Sequence, residues 1–440
     1  MNSNVIEARE AISTQDDDPR VAFVRMAAAP VAIYGYPLVE VIRTCAMHTS
    51  PGSTSSLRAP FNSIHASMRR WTHQDRDVVT PANDFLYLNA WIDLSDGPVV
   101  LDIPAVDEDR YYVIELLDAF TNNFVNLSPL NAGSSGKRYV LHREGEAAPA
   151  SLNAEPIACP TPLVWMLGRV LVKGDNDLPE AQQAASGFAL SGRDARGFAC
   201  VRDWRVSAEP ALDFFQNLFN ALRDVSPRPD ETALFGLLAR ADLCPGKSID
   251  VETLSPFVRR GLQLAYEDAH RLITVHTESR GRRSWGYNLK LGRYGSDYLL
   301  RACTAMKGLG ALSATEAVYA VADFDGAGEH LNGRHRYELY FPPGGLPPVH
   351  ALWSISLYGA DRFFVENPLA RHAIGDRTEG LRYEADGGLR ILIQHDAPPV
   401  EANWLPAPSA QFYLILRLYQ PAAAFLENRY EIPAVRNLNG

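Results

Sequence analysis

Three side chains in the first half of the chain have the chemistry for proton transfer: His65, Asp84 and Asp118. An imidazole titrates near neutrality and a carboxylate can orient it, so one of each is the minimum for general acid and base work. In that arrangement Asp118 is the base, His65 the acid or proton shuttle, and Asn83 and Asn122 orient the substrate. Two aspartates also admit a glycosidase, whose carboxyl groups stand about 5 to 9 Å apart across the scissile bond. Tyr87, Trp91 and Tyr112 would offer ring faces to a sugar. In the C-terminal part, Arg417 alternates with apolar residues on an expected strand, where a charge needs a carboxylate partner or a bound anion; the first, a structural ion pair, is the expectation. The plainer alternative is that Asp84 and Asp118 cap turns through their own backbone, that His65 is a satisfied half-buried histidine, and that the aromatic residues are core.

Other chemistries find no motif. The eleven histidines include no H-x-H, H-E-x-x-H or H-x3-H spacing. His270 and His276 stand six apart on an expected helix, too far around it to share a ligand. His330, His335 and His372 fall in expected loops. Gly133-Ser134-Ser135-Gly136 is not a nucleophile elbow, and no glycine-rich phosphate loop follows a strand. No cofactor is expected, and the need for a metal is left open. The five cysteines, Cys45, Cys159, Cys200, Cys244 and Cys303, are scattered and read as structural thiols rather than disulfides or a zinc cage.

The elements that must position these residues follow from length and periodicity. A chain of 440 residues exceeds one ordinary core, and 46% hydrophobic residues supply enough material for two or three. The net charge of −10, with no arginine stripe, excludes a nucleic-acid partner and leaves a small-molecule ligand. The first twenty residues are acidic, with Asp16-Asp17-Asp18, and read as a mobile tail rather than a signal peptide. Asp18 and Pro19 signal a helix start. The apolar stretch after it, Val21 to Val39, is interrupted by Arg25, two prolines and Gly35 and reads as too broken to span a bilayer. No membrane partner is expected, and the location is expected to be cytoplasmic.

Period-two alternation marks strands at Val99–Ile103, Tyr111–Leu117, Tyr139–His142 and Leu163–Val172. It returns at Tyr337–Phe341, Trp353–Tyr358, Leu389–Ile393 and Phe412–Tyr419. Between the two runs, Ala211, Phe214, Phe215, Leu218, Phe219 and Leu222 share a helical face, and Ser255-Pro256 opens a second helix. Helices also fit Glu231–Ala241 and Ser296–Lys307. The expected fold is mainly β with an α insertion (α+β): a tail over 1–20, an N-terminal β-sandwich over 21–206, a helical segment over 207–312 and a C-terminal β-sandwich over 313–440.

Several segments carry a resemblance. Tyr34-Gly35-Tyr36-Pro37-Leu38, Phe61-Asn62 with His65, Asn83-Asp84-Phe85-Leu86-Tyr87, Ala90-Trp91-Ile92-Asp93-Leu94, Arg110-Tyr111-Tyr112 and Leu117-Asp118-Ala119-Phe120-Thr121-Asn122 are similar to domain of unknown function 1254. Trp353-Ser354-Ile355-Ser356-Leu357-Tyr358, Asn367-Pro368-Leu369, Asn403-Trp404-Leu405-Pro406-Ala407-Pro408 and Leu416-Arg417-Leu418-Tyr419-Gln420-Pro421 resemble its companion, domain of unknown function 1214. The resemblance implies two jelly-roll-like sandwiches joined through helices, assembled as a homo-oligomer, often a trimer, in proteins frequently exported by a signal peptide. The chain departs from the pattern at Ala82-Asn83-Asp84-Phe85 and near Asn131-Ala132-Gly133-Ser134. The functional expectation is an enzyme acting on a small polar or carbohydrate-like molecule by hydrolase or lyase chemistry. The alternative is a non-catalytic trimeric ligand-binding or assembly protein.

Overall fold

A computed structural model describes residues 16–76, 79–193, 195–247, 249–278 and 284–439. Most of the expected acidic tail lies outside them. Helix α1 (Pro19–Thr49) opens as the cap signal requires: the Asp18 carboxylate accepts the Arg20 amide at 2.8 Å, and Pro19 takes the first turn. The prolines and Gly35 do not break it, which corrects the sequence reading of an interrupted segment. Each proline removes only one backbone donor, and burial of more than half the helix holds it against that loss. By length and apolar character α1 could cross a membrane, and 56% of its most apolar stretch is buried in the fold.

The next segment carries strands β1 (His65–Ala66), β2 (Phe85–Asp93), β3 (Val99–Ala105), β4 (Tyr112–Asp118), β5 (Asn123–Leu127), β6 (Ser135–Arg143), β7 (Glu155–Cys159) and β8 (Leu163–Leu171). Helix α2 (Leu178–Ser186) and strand β9 (Ala189–Ser191) complete it. They form a five-stranded sheet, β1-β2-β8-β4-β5, and a four-stranded sheet, β7-β6-β3-β9. Alternation decides how the sheets meet. Leu86, Leu88, Ala90 and Ile92 of β2 pack with Val99, Leu101 and Ile103 of β3 and with Tyr139 and Leu141 of β6, giving a two-sheet core. The other residues of β2, Phe85, Tyr87, Asn89, Trp91 and Asp93, point to the opposite face.

Helices α3 (Ala199–Arg202), α4 (Pro210–Asp224), α5 (Pro256–Glu278) and α6 (Tyr298–Gly308) gather around α1. The expected helix over Glu231–Ala241 is instead two tighter 3-10 turns, Pro229–Phe235 and Leu238–Ala241, with Gly236 between them. Phe215, Leu218, Phe219 and Leu222 of α4 and Leu262 and Ala265 of α5 join α1 in one core. The backbones come close at two glycines. A Cβ on Gly35 would fall 2.5 Å from the Leu218 side chain, and one on Gly261 would fall 2.5 Å from Val24.

The C-terminal part consists of β10 (Ala317–Ala322), β11 (Tyr337–Phe341), β12 (Val349–Gly359), β13 (Ala373–Gly375), β14 (Leu389–Gln394), β15 (Trp404–Pro406), β16 (Phe412–Pro421), helix α7 (Ala423–Leu426) and β17 (Arg436–Asn437). Sheets β10-β16-β12-β13 and β15-β14-β11-β17 enclose Trp353, Ile355, Leu414, Leu416, Leu339 and Ile391. The segment expected as a rigid loop, Asn403 to Pro408, includes β15, paired parallel to β14. Asn403 holds it by accepting the Arg382 amide and donating to the Arg382 and Arg390 carbonyls, while the buried Trp404 ring donates to Gln394 O at 2.9 Å.

The fold is therefore α+β with sheets dominating both ends. Its central sheet, β1-β2-β8-β4-β5, has one face in its own sandwich and divides the other. Trp91, Trp165 and Leu117 meet the helices, whereas Phe85, Tyr111, Val113 and Leu171 meet Ala317, Leu352 and Tyr419 of the C-terminal sheet.

Candidate functional site

The three proton-transfer residues do not meet. His65 pairs with Asn89 at the edge of the central sheet, five residues from Asp84 and so about 17 Å along the strand. Asp118 is level with Val164 and, through it, with Ile92, eight residues or about 27 Å along the strands from Asp84. It also stands three strand spacings, about 14 Å, across the sheet from His65. An imidazole–aspartate pair and a glycosidase pair of Asp84 with Asp118 are both excluded by this register. The reason is topological: β2 and β4 flank β8 and run parallel to each other, so Asp84 at the entry of β2 and Asp118 at the end of β4 lie at opposite ends of the sheet.

Asp118 has the plainer role. Its Oδ1 accepts the amides of Phe120 and Asn122, both at 2.9 Å, and its Oδ2 accepts the Asn122 side-chain amide at 2.8 Å. That network closes the β4–β5 turn, in which Thr121 takes a left-handed φ of 66°. Burial raises the carboxyl, opposed by these bonds and by the charge of Arg301. Trp91 is core, stacked on Trp165 with centroids 4.9 Å apart and donating to His48 Nδ1 at 3.2 Å. His65 is half-buried, and burial alone lowers its pKa.

Four of the sequence-selected residues, Asn83, Asp84, Tyr87 and Arg417, do come together at the seam between the central sheet and the C-terminal sheet. The Asn83 side chain donates to Trp71 O at 2.6 Å, fixing the entry to β2. Asp84 Oδ2 accepts the Ser354 hydroxyl of β12 at 2.8 Å. Tyr87 packs edge-on to Trp71 and accepts the Ala82 amide at its hydroxyl. Arg417 of β16 donates to Ser356 Oγ at 2.9 Å, Thr80 O at 2.8 Å and Tyr358 Oη at 2.7 Å. The expected ion pair for Arg417 is not found among the described residues; neutral oxygens surround it because β10 and β12, its neighbours, present Tyr319, Ser354 and Ser356 there.

Sequence reasoning missed several partners at the seam. Arg169 of β8 donates to Glu115 Oε2 at 3.0 Å, while Glu115 Oε1 is buried without a hydrogen bond. Burial raises Glu115 to about 7 despite the guanidinium. Tyr111 donates to Glu316 at 2.7 Å, and Ser128 reaches the same carboxylate. Asp376 follows Gly375, the strand partner of Ser354, and the charge of Asp84 acts on it. It keeps an open side, yet crowding by protein raises its carboxyl to about 6; Arg377 opposes the rise and the charge of Asp84 adds to it. Burial also raises Asp84, opposed by Ser354, Arg417 and Arg70. Asp84, Tyr87 and Tyr319 are only half-buried although protein flanks them on both sides, so water reaches this part of the seam. The missed signal was a lone charge in an apolar strand: Glu115 in Val113-Ile114-Glu115-Leu116-Leu117 and Arg169 in Gly168-Arg169-Val170.

His372 is buried, stacks on Phe364 and lies 5.7 Å from the His73 ring; burial and the His73 charge push it down to about 4. No three His, Cys, Asp or Glu side chains gather to hold a metal among the described residues.

A solved Vibrio parahaemolyticus protein is similar over 95% of this chain and 100% of its own, with a TM-score of 0.71 and 21% identity, which shows a common fold. An uncharacterized protein from Burkholderia cenocepacia aligns over 98% of both chains at a TM-score of 0.47 and 10% identity. No curated protein matches the chain. The family described as "Protein of unknown function (DUF1254)" matches residues 61–192, and "Protein of unknown function (DUF1214)" matches residues 316–423. The seam thus joins the two matched regions, DUF1254 in the N-terminal part of the chain and DUF1214 in the C-terminal part.

Proposed function

We propose that the protein is an enzyme acting on a small polar or carbohydrate-like molecule, and that acid–base chemistry takes place at the seam between its two β domains. The observation that carries this reading is the electrostatic coupling of two carboxyls from different domains, Asp84, bonded to Ser354, and Asp376, one residue past the strand partner of Ser354. Asp376, raised to about 6, keeps part of its population protonated near neutrality and serves as the acid. It donates a proton to a leaving oxygen as the C–O bond breaks. Asp84, ionised, takes a proton from the attacking water in hydrolysis, or from the carbon beside the leaving group in elimination. Tyr87, Tyr319 and Arg417 line the same seam and hold the substrate.

The test is turnover of a panel of nitrophenyl glycosides and esters, followed by chromophore release across pH. Asp376→Asn and Asp84→Asn should each lower the rate by about 10² or more while leaving the melting temperature near wild type. Wild-type rates in both variants would overturn the assignment. The competing reading is a non-catalytic trimer of jelly-roll-like sandwiches that binds a ligand or serves assembly. It is favoured by the number of motif side chains, Asp118, Asn122 and Asn83, that are committed to the protein's own hydrogen bonds. That reading expects ligand binding with no turnover.

A further inference from the structure

Arg169 and Arg417 occupy equivalent places on the two sheets that face each other at the seam. Arg169 stands opposite Tyr87 on the adjacent strand, and Arg417 stands opposite Tyr319. Each guanidinium lies over the ring of its cross-strand tyrosine, at 5.8 and 5.7 Å from the centroid. Tyr358 adds a second ring to Arg417 at 5.6 Å. The result is two matched arginine–tyrosine pairs, one from each domain.

The charge in this layer is uneven. Arg417 is 4% exposed, yet its hydrogen bonds go to a serine hydroxyl, a tyrosine hydroxyl and backbone carbonyls, and no carboxylate lies in ion-pair range among the described residues. Arg169 is 8% exposed and pairs through Nη1 with one oxygen of Glu115. A buried cation with no carboxylate bonded to it, and with Asp84 acting on it only from beyond ion-pair range, is costly, and the cost falls when an anion is taken up beside it. The tyrosines between the two arginines are not sealed: Tyr87 and Tyr319 are half-buried, as is Asp84 next to them. A planar guanidinium fork is suited to two-pronged bonding of a carboxylate or phosphate, and the ring faces suit a cyclic or flat body.

We propose that the seam recognises its ligand by an anionic head group, a carboxylate or phosphate, seated between Arg169 and Arg417 and flanked by Tyr87 and Tyr319. This rests on the reading of the seam as a ligand site but not on turnover there. It narrows the substrate class from polar molecules in general to acidic ones, with sugar acids and sugar phosphates as natural members.

The experiment is calorimetric titration of the full chain with glucuronate, with inorganic phosphate, and with glucose as the uncharged counterpart. Saturable binding of at least one anion, with glucose weaker by roughly tenfold or more, is the expected result. Preference for glucuronate identifies a carboxylate head, and preference for phosphate a phosphate head. Arg417→Lys and Arg169→Lys keep the buried charge but lose the planar fork, so each should weaken the anion by roughly tenfold. Should either variant fail to fold, the wild-type comparison of anions with glucose decides alone. Absence of binding by both anions, glucose binding as tightly, or folded lysine variants with wild-type affinity would each overturn the proposal. Anion binding without turnover of any nitrophenyl substrate would leave it standing and remove the acid–base reading instead.

Discussion

The two aspartates singled out by sequence sit on one β-sheet and live in opposite circumstances. At the helical end, Asp118 is 5% exposed and all three of its hydrogen bonds go to residues 120–122, which make the turn it closes. At the seam end, Asp84 spends one bond on a hydroxyl from the other domain and keeps a side open to water. Burial raises both carboxyls, so a shifted pKa does not separate structure from function here. What separates them is where the hydrogen bonds go: Asp118, buried, spends three of its roughly four acceptor sites on its own turn and has little left for a ligand.

The sharpest way to break this contrast is to remove the buried charge balance at the seam. Glu115→Ala leaves Arg169 without its carboxylate, and unfolding by urea should show a loss of about 3–5 kcal/mol. At the other end, Asp118→Ala strands buried amides and should cost about 1–3 kcal/mol per lost acceptor, read by the same denaturation, without altering anion binding at the seam. Gly35→Ala tests the helical packing that supports that end. Its methyl would enter the Leu218 side chain, and overpacking of this kind costs about 1–3 kcal/mol in a urea titration.

Asp84→Asn should move stability by less than about 1 kcal/mol, because it relieves the burial of a charge while giving up the attraction of Arg417 and Arg70, whereas ligand binding changes. The smallest effect concerns pH. Asp376 has a folded value of about 6 against an ordinary 3.8, so the folded state holds more protons in that window and stability falls as pH rises through it. Asp376→Asn should flatten the melting temperature between about pH 4 and 6. An unchanged slope would show that this carboxyl is solvated as freely as an ordinary one.

Local patterns were legible where the physics is local. Alternation located β3, β4, β8, β11, β14 and β16, and Ser255-Pro256 marked the start of α5, because side-chain periodicity and capping act within a few residues. The likeness to DUF1254 and DUF1214 was legible from short motifs, and the family matches at 61–192 and 316–423 bear it out. The site was legible only by halves. Asn83, Asp84, Tyr87 and Arg417 were found as individually unusual residues, but their meeting depends on sheets from residues 85–171 and 317–421 packing back to back. Nothing in either segment alone states that register. Glu115, Arg169 and Tyr319 escaped for the same reason, since a lone charge in an apolar strand shows that a partner is needed without showing which strand supplies it. His65 and Asp118 were overvalued because polar residues at strand ends were expected to share one end of the sheet, and strand order and direction put them at different places on it.

Helix α1 carries a consequence for how the chain is made. Its Val24 side chain fits against Gly261, so that part of its cover is synthesised about 240 residues later, and at ordinary elongation rates that face waits on the order of ten to fifty seconds for it. A long apolar segment held unshielded for that time is a natural client for whatever in the cell receives nascent hydrophobic helices. Its packing against α4 and α5 is completed only once those helices have been synthesised, after all strands of the first sandwich.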